Sequence, residues 1–152
     1  MPVFETINFG TISFSLESVF LFPVGLPGFE SKHHFVPVQN PRTFPIVFLQ
    51  SLEDPALCFT TIPVRVVCPG YQLQMLDEDL AVMGWQHSQP PRIGEEVLCL
   101  AVLSIRESGP TANLLAPLVV NLKTHRAVQA VADNCGYSHQ HALFPVEAPV
   151  CS

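Results

Sequence analysis

Hydrophobic and polar positions alternate along much of this chain with a period of two. Ile12, Phe14 and Leu16 are separated by Ser13 and Ser15, and the apolar run Val19–Phe22 follows before Pro23. Successive side chains of an extended strand point to opposite faces, so the pattern predicts a half-buried strand leading into a fully buried one. Similar runs predict strands at Phe35–Val38, Ile46–Gln50, Leu57–Ile62 and Tyr71–Leu76, the last with Tyr71, Leu73 and Met75 on one face and Gln72 and Gln74 on the other. Val97–Ile105 is apolar on both faces and reads as a central strand. Ala112–Asn121 and Arg126–Ala132 read as a hairpin that turns at Leu122–His125. One short helix is predicted at Asp77–Gly84, where Asp77 caps it, Glu78 and Asp79 suit the positive end of its dipole, and Gly84 ends it.

Many short strands without strand–helix alternation predict an all-β fold: a small antiparallel β-barrel-like single domain with at most one or two short helices. Closure into a barrel would remove exposed strand edges. The fifteen prolines and eight glycines are spread along the chain, marking turns and not one linker. The barrel domain is expected over residues 1–144, and residues 145–152, with two prolines and no pattern, are expected to form a flexible C-terminal tail.

Composition tests this picture. The 48% hydrophobic content, against 13% charged, gives a mean hydropathy of +0.33 and raises the question of a membrane. Pro, Gly or charge interrupts every apolar stretch before the roughly 18 to 20 residues that a spanning helix needs. The start, Met1-Pro-Val-Phe-Glu5, lacks the basic and apolar regions of a secretory signal, so a cytoplasmic protein with no membrane partner is expected. Seven basic residues against thirteen acidic ones give a net charge of −6. No basic stripe can neutralise phosphates, which argues against direct nucleic-acid binding, while an acidic surface steers basic protein partners. Five cysteines at irregular spacing do not suggest a disulfide framework, and Cys58 and Cys99, inside apolar runs, read as small hydrophobes.

Few motifs carry chemistry. Pro23-Val-Gly-Leu-Pro-Gly28 has the punctuation of consecutive tight turns and reads first as a structural corner, with Phe29 and Glu30 at its end the candidate contact-makers. No Lys-Ser/Thr pair follows the glycines, so it does not cradle phosphate. In Leu49-Gln-Ser-Leu-Glu-Asp-Pro55, Glu53 and Asp54 are adjacent in a turn, a poor geometry for an acid/base pair; they read as solvated charges on a candidate binding loop with Leu52 beside them. Asn113 and Asn121 bracket an apolar run and are expected to bond local backbone. Cys135, His139 and His141 offer only three zinc ligands with no fourth nearby, so neither a metal site nor a Cys–His nucleophile is expected, and His33-His34 reads as a solvated loop pair.

Four stretches taken together resemble one family: Phe9-Gly10, Phe22-Pro-Val-Gly-Leu-Pro-Gly-Phe-Glu30, Phe48-Leu-Gln-Ser-Leu-Glu-Asp-Pro-Ala-Leu-Cys-Phe59, and Thr111-Ala-Asn-Leu-Leu-Ala-Pro-Leu-Val-Val-Asn121. The chain resembles the flagellar assembly factor FliW family from about residue 5 to residue 143, including Arg126, Gln129 and Tyr137, and departs from it in details such as Pro63–Cys68 and the C-terminal tail. The resemblance implies a compact β-barrel-like fold with no catalytic residues and no cofactor. It also implies two protein partners: flagellin and, when flagellin is exported, the RNA-binding translational regulator CsrA, which is antagonised without occupation of its RNA surface, so that repression of flagellin translation is relieved. Set beside the charge pattern, it points to Glu53, Asp54, Asp77, Glu78 and Asp79 as the acidic groups that dock the regulator, with Leu52 supplying apolar contact. Two other readings stay open: a flagellin chaperone with no regulatory partner, and a small metal-binding enzyme built on Cys135, His139 and His141.

Overall fold

A computed structural model describes residues 2–131 and 136–143. The strands are β1 (Val3–Thr6), β2 (Gly10–Ser13), β3 (Phe20–Leu21), β4 (His34–Val38), β5 (Val47–Ser51), β6 (Cys58–Pro63), β7 (Val97–Arg106), β8 (Gly109–Ala112), β9 (Leu118–Asn121), β10 (Ala127–Gln129) and β11 (His141–Ala142). Two short helices, α1 (Val64–Val67) and α2 (Asp77–Val82), lie between β6 and β7. The fold is therefore all-β, as the alternating pattern predicts. None of the helices among the described residues is long and apolar enough to cross a membrane.

The main sheet runs β10-β9-β7-β6-β5-β4-β3, every pair antiparallel. With seven strands in that path, its two edges run in the same direction, so any contact that closes the sheet must be parallel. The structure has that contact: the Leu21 N–H donates to the His125 carbonyl at 2.9 Å, and Leu21 forms a parallel bridge with Arg126. The sheet thus curls into a barrel-like wall joined at a narrow seam.

Two cores follow from the two faces of this wall. Inside the curl, Phe20, Phe22, Phe35, Leu49, Leu118 and Val120 pack together. On the outer face Val64, Tyr71, Met83, Val119 and Val128 form a second core under the segment that holds α1 and α2. Strand β7 serves both, with Val97, Cys99 and Ala101 in the outer core and Leu100 in the inner one, which is why its sequence is apolar at successive positions. Burial pushes the Cys99 thiol up to about 12, against a smaller opposing effect of Arg65, and pushes Cys58 up to about 11. Both stay protonated and behave as apolar groups.

Pro37 sits inside β4, where a proline is normally excluded. The Leu52 N–H donates to the His34 carbonyl, so the backbone groups of His34 and Val36 face β5 and those of Phe35 and Pro37 face the other way. β3 pairs only with His34 and Phe35, which leaves the missing N–H of Pro37 on an open edge where it disrupts no ladder.

Several expected boundaries differ. Tyr71–Leu76 is not a strand. Tyr71, Leu73 and Met75 do face the outer core and Gln72 and Gln74 are exposed, yet among the described residues this backbone joins no ladder. It is held instead by the Tyr71 hydroxyl donating to the Leu114 carbonyl at 2.6 Å and by the Gln72 N–H donating to the Tyr137 hydroxyl at 2.9 Å. Ala112–Asn121 is not continuous either: the Asn113 Oδ1 accepts from the N–H groups of Leu115 and Ala116, folding an irregular link between β8 and β9 in which Pro117 has no donor to lose. β2 stops at Ser13, and the Ser15 hydroxyl accepts from Glu17 N–H to start a single 3₁₀ turn at Leu16–Ser18. Asp77 does not cap α2; the capping position is Leu76, with no side-chain bond, and Asp77 is the first helical residue. The single turn α1 had no sequence signal. Beyond β10, residue 132, Cys135 and the expected tail lie outside the described residues.

Candidate protein-binding surface

One end of the barrel gathers the corner after β3, the β5–β6 turn and the β7–β8 hairpin. The corner closes on itself through local bonds. Gly25 N–H donates to the Phe22 carbonyl at 2.9 Å and Phe29 N–H to the Leu26 carbonyl at 2.7 Å. Gly25 has φ +69°, and a Cβ there would stand 2.6 Å from the Cα of Glu30, so glycine is required both for conformation and for space. The ring of Phe29, 38% exposed, meets Phe59 of β6 edge-to-face at 5.4 Å. The Glu30 carboxylate accepts from Gly28 N–H at 3.0 Å; that bond, followed by one from its own N–H, holds its pKa below the ordinary value.

The β5–β6 turn is organised by a residue that its sequence did not single out. Gln50 is fully buried, and its Nε2 donates to the carbonyls of Ser51, Asp54 and Pro55 at 3.0, 3.3 and 3.3 Å. The Ser51 hydroxyl accepts from Glu53 N–H and Asp54 N–H, each at 3.0 Å, and Asp54 Oδ1 accepts from Ala56 N–H. Glu53 is not the free solvated charge that its place in a turn suggests. Its Oε1 accepts from the backbone N–H of His33 at 2.6 Å and of His34 at 3.0 Å, and its Oε2 lies 3.1 Å from His34 Nδ1. Burial pushes its pKa up, but the bonds from His34 and His33 together outweigh that and hold it below the ordinary value of 4.5. Of the two histidines expected as a solvated loop pair, His34 is exposed but begins β4, whereas His33 is half-buried with its Nδ1 2.9 Å from the Phe22 carbonyl.

The clamp by Glu53 brings Leu52, Glu53 and Asp54 against the strand entered from Phe29 and Glu30, so five of the eight candidate residues share one end of the molecule. Asp77, Glu78 and Asp79 belong to α2, which packs on β10. Asp77 and Glu78 are exposed. The pKa of Asp79 is raised, chiefly by burial, although its carboxylate accepts the Val131 N–H; neighbouring Glu78 raises it further. Asn113 and Asn121 both bond local backbone, Asn121 through Oδ1 to Lys123 N–H, but its Nδ2 reaches beyond, donating to the Met83 carbonyl at the end of α2. Among the described residues no three metal-ligating side chains converge; His141 lies in β11 and Cys135 lies outside that range.

Among the described residues the surface carries several concavities, two of which border these elements. A cleft of about 450 Å³ runs between Trp85–His87, Glu95–Glu96 and the β9–β10 turn, but Arg92 engages both carboxylates and Trp85 Nε1 donates to the Gln89 carbonyl. A smaller pocket of about 250 Å³ opens at the barrel end beside the corner, between Leu26 and Pro27 on one side and β7 on the other. Ile105, 82% exposed, stands next to it on the hairpin.

A model of the FliW protein family matches residues 3–143, the described fold almost entire. This chain belongs to the FliW family. The flagellar assembly factor FliW of Caldanaerobacter subterraneus is 33% identical over 145 residues, covering 92% of this chain and 91% of that protein. The flagellar assembly factor FliW of Thermotoga petrophila is 34% identical over 144 residues, covering 93% and 92%. A crystal structure of the flagellar assembly factor FliW superimposes with a TM-score of 0.83 at 28% identity, covering 97% of this chain and all of that one. The chain thus belongs to a family of flagellar assembly factors, and it shares its barrel-like β architecture with the solved member.

Proposed function

We propose that this member of the FliW family acts by protein binding and not by catalysis: in the cytoplasm it binds flagellin and, when free of it, binds and antagonises CsrA, relieving repression of flagellin translation. The observation that carries the reading is the family match running over residues 3–143, so that the corner, the β5–β6 turn and the β7–β9 wall all fall inside it. A switch of this kind requires flagellin and CsrA to lower each other's affinity by the same factor. Phe29, Glu30, Leu52 and Asp54, with Asp77, Glu78 and Asp79 on α2, are the side chains we assign to partner contact; Glu53 supports the first group from within. The net charge of −6 favours encounter with a basic partner and makes association slow as salt rises.

Titration calorimetry of the purified protein with CsrA, alone and after saturation with flagellin, tests this. Binding to each partner, with CsrA weakened by flagellin, is expected. Binding to flagellin alone would favour a chaperone without a regulatory partner, and heat from neither partner would overturn the proposal.

A further inference from the structure

The pocket at the barrel end has a lining that the rest of the surface does not lead one to expect. Its floor is apolar: Leu26 and Leu118 are buried, and Phe59 and Val102 half-buried. Its rim carries Ser104, Arg106, Asn113 and His139, and no lining residue is acidic, in a chain with thirteen carboxylates and seven cationic side chains. Among the described residues no carboxylate lies within ion-pair distance of Arg106, whereas Arg92 is engaged by two. Asn113, on the lining, spends its Oδ1 on the N–H groups of Leu115 and Ala116, and among the described residues its Nδ2 donates to no protein group. Gln129, also on the lining, turns its own Nε2 to the Ala116 carbonyl.

The geometry points to a binding site for a carboxylate carried on a small apolar group. The guanidinium of Arg106, the Ser104 hydroxyl and the Asn113 amide are donors that a carboxylate accepts from, and an ionised acceptor makes such bonds shorter and stronger. The apolar floor takes the body of the ligand out of water. At about 250 Å³ the pocket lies below the range typical of cofactor and drug-sized sites, and it admits a group the size of one amino-acid residue. A ligand that branches close to its carboxylate fits best, because floor and rim are filled together. Two sources share that chemistry: a free branched short-chain acid, and the last residue of a polypeptide ending in an apolar side chain. The inference does not depend on the identity of the flagellar partners.

The test is titration of the whole ¹⁵N-labelled protein, followed by amide chemical shifts, with isovalerate, N-acetyl-leucine and N-acetyl-leucinamide. Saturable shifts at Val102, Ser104, Arg106 and Asn113 are expected with the two acids, at a Kd on the order of 1 mM for so few ligand atoms. Arg106→Gln should weaken both acids by about tenfold, the loss of one charge-assisted pair. Arg92→Gln, distant from the pocket, should leave them unchanged, and unaltered spectra elsewhere would show that the Arg106 variant is folded. Tighter binding of N-acetyl-leucine than of isovalerate would assign the site to a chain terminus, and the reverse to a free acid; either upholds the carboxylate. Equal shifts from the uncharged leucinamide, or no saturable shift at concentrations about tenfold above that Kd, would overturn the proposal.

Discussion

A single carboxylate decides how the β5–β6 turn meets the rest of the barrel. Glu53 bonds two successive backbone N–H groups, of His33 and His34, which otherwise face water at the entrance to β4. The arrangement resembles a helix cap in chemistry, and replacing such a cap by Ala costs roughly 1 kcal/mol. Glu53→Ala is therefore expected to lower stability by about that amount at neutral pH, discounted toward the lower side because the group remains partly solvated. The sign of its pH dependence follows from its lowered pKa. A carboxylate held below 4.5 in the folded state adds stability above that value and loses it as pH falls through the folded pKa. Urea unfolding at neutral pH and near pH 3 checks this: the gap between wild type and variant should be fully present at the first and smaller at the second. A gap of the same size at both would mean that packing, and not charge, holds the turn. A charge reversal at this position, Glu53→Lys, would loosen the fold as well as change the surface charge, so Asp54 is the cleaner probe of partner contact.

At the scale of elements, the corner shows how one position dictates a loop. Gly25 and Gly28 both have positive φ, +69° and +85°, but only Gly25 has backbone atoms within 3 Å of where a Cβ would lie. Gly28→Ala should cost about 1 kcal/mol, the strain of a left-handed residue in open space. Gly25→Ala adds a clash with the main chain of Glu30 and should cost roughly 3 kcal/mol or more. Equilibrium denaturation of the two variants separates these effects, and equal losses would refute the steric account. The same corner shows what was legible in the sequence. Its Pro and Gly spacing announced a turn, alternating runs located β4, β5 and β6, and a run apolar on both faces located β7, because those strands bury one face or both. Tyr71–Met75 carries the same alternation without being a strand: the pattern records which side chains are buried, and not where the backbone finds its bonds. The rim of the pocket was illegible for another reason. Arg106, Asn113 and His139 are brought together only by the register of β7 with β8 and by the course of the chain near residue 139, and no local spacing encodes such long-range pairing. Gln50 read as the polar alternate of a strand, while its role comes from three carbonyls of a turn that it precedes.

Across the whole molecule the wall is held unevenly. β7 is paired with β6, β8 and β9 and packs into both cores, and Val97, Leu100 and Ala101 are fully buried. The β1–β2 hairpin is a separate two-stranded sheet with Val3 62% and Ile7 71% exposed; it leans on the barrel through Ile7 N–H to the Pro55 carbonyl and through Phe9 against Phe48 at 5.2 Å. Two strands alone are marginal in water. The seam lies between these extremes, since one bond joins Leu21 to His125 but Phe20 and Phe22 beside it are anchored in the inner core. Amides exchange through openings whose free energy follows the buried contacts that must be broken. Native-state hydrogen exchange should therefore rank the ladder amides in three tiers: β1–β2 opening most easily, Leu21 at an intermediate free energy, and the inward-bonded amides of β7 and β9 only on global unfolding. Raising denaturant should merge Leu21 with the global class before the hairpin joins it. Protection of the hairpin equal to that of β7 would show that Ile7 and Phe9 bind it into the barrel's cooperative unit. Exchange of Leu21 as fast as that of the hairpin would show that the wall opens at its seam in the native state.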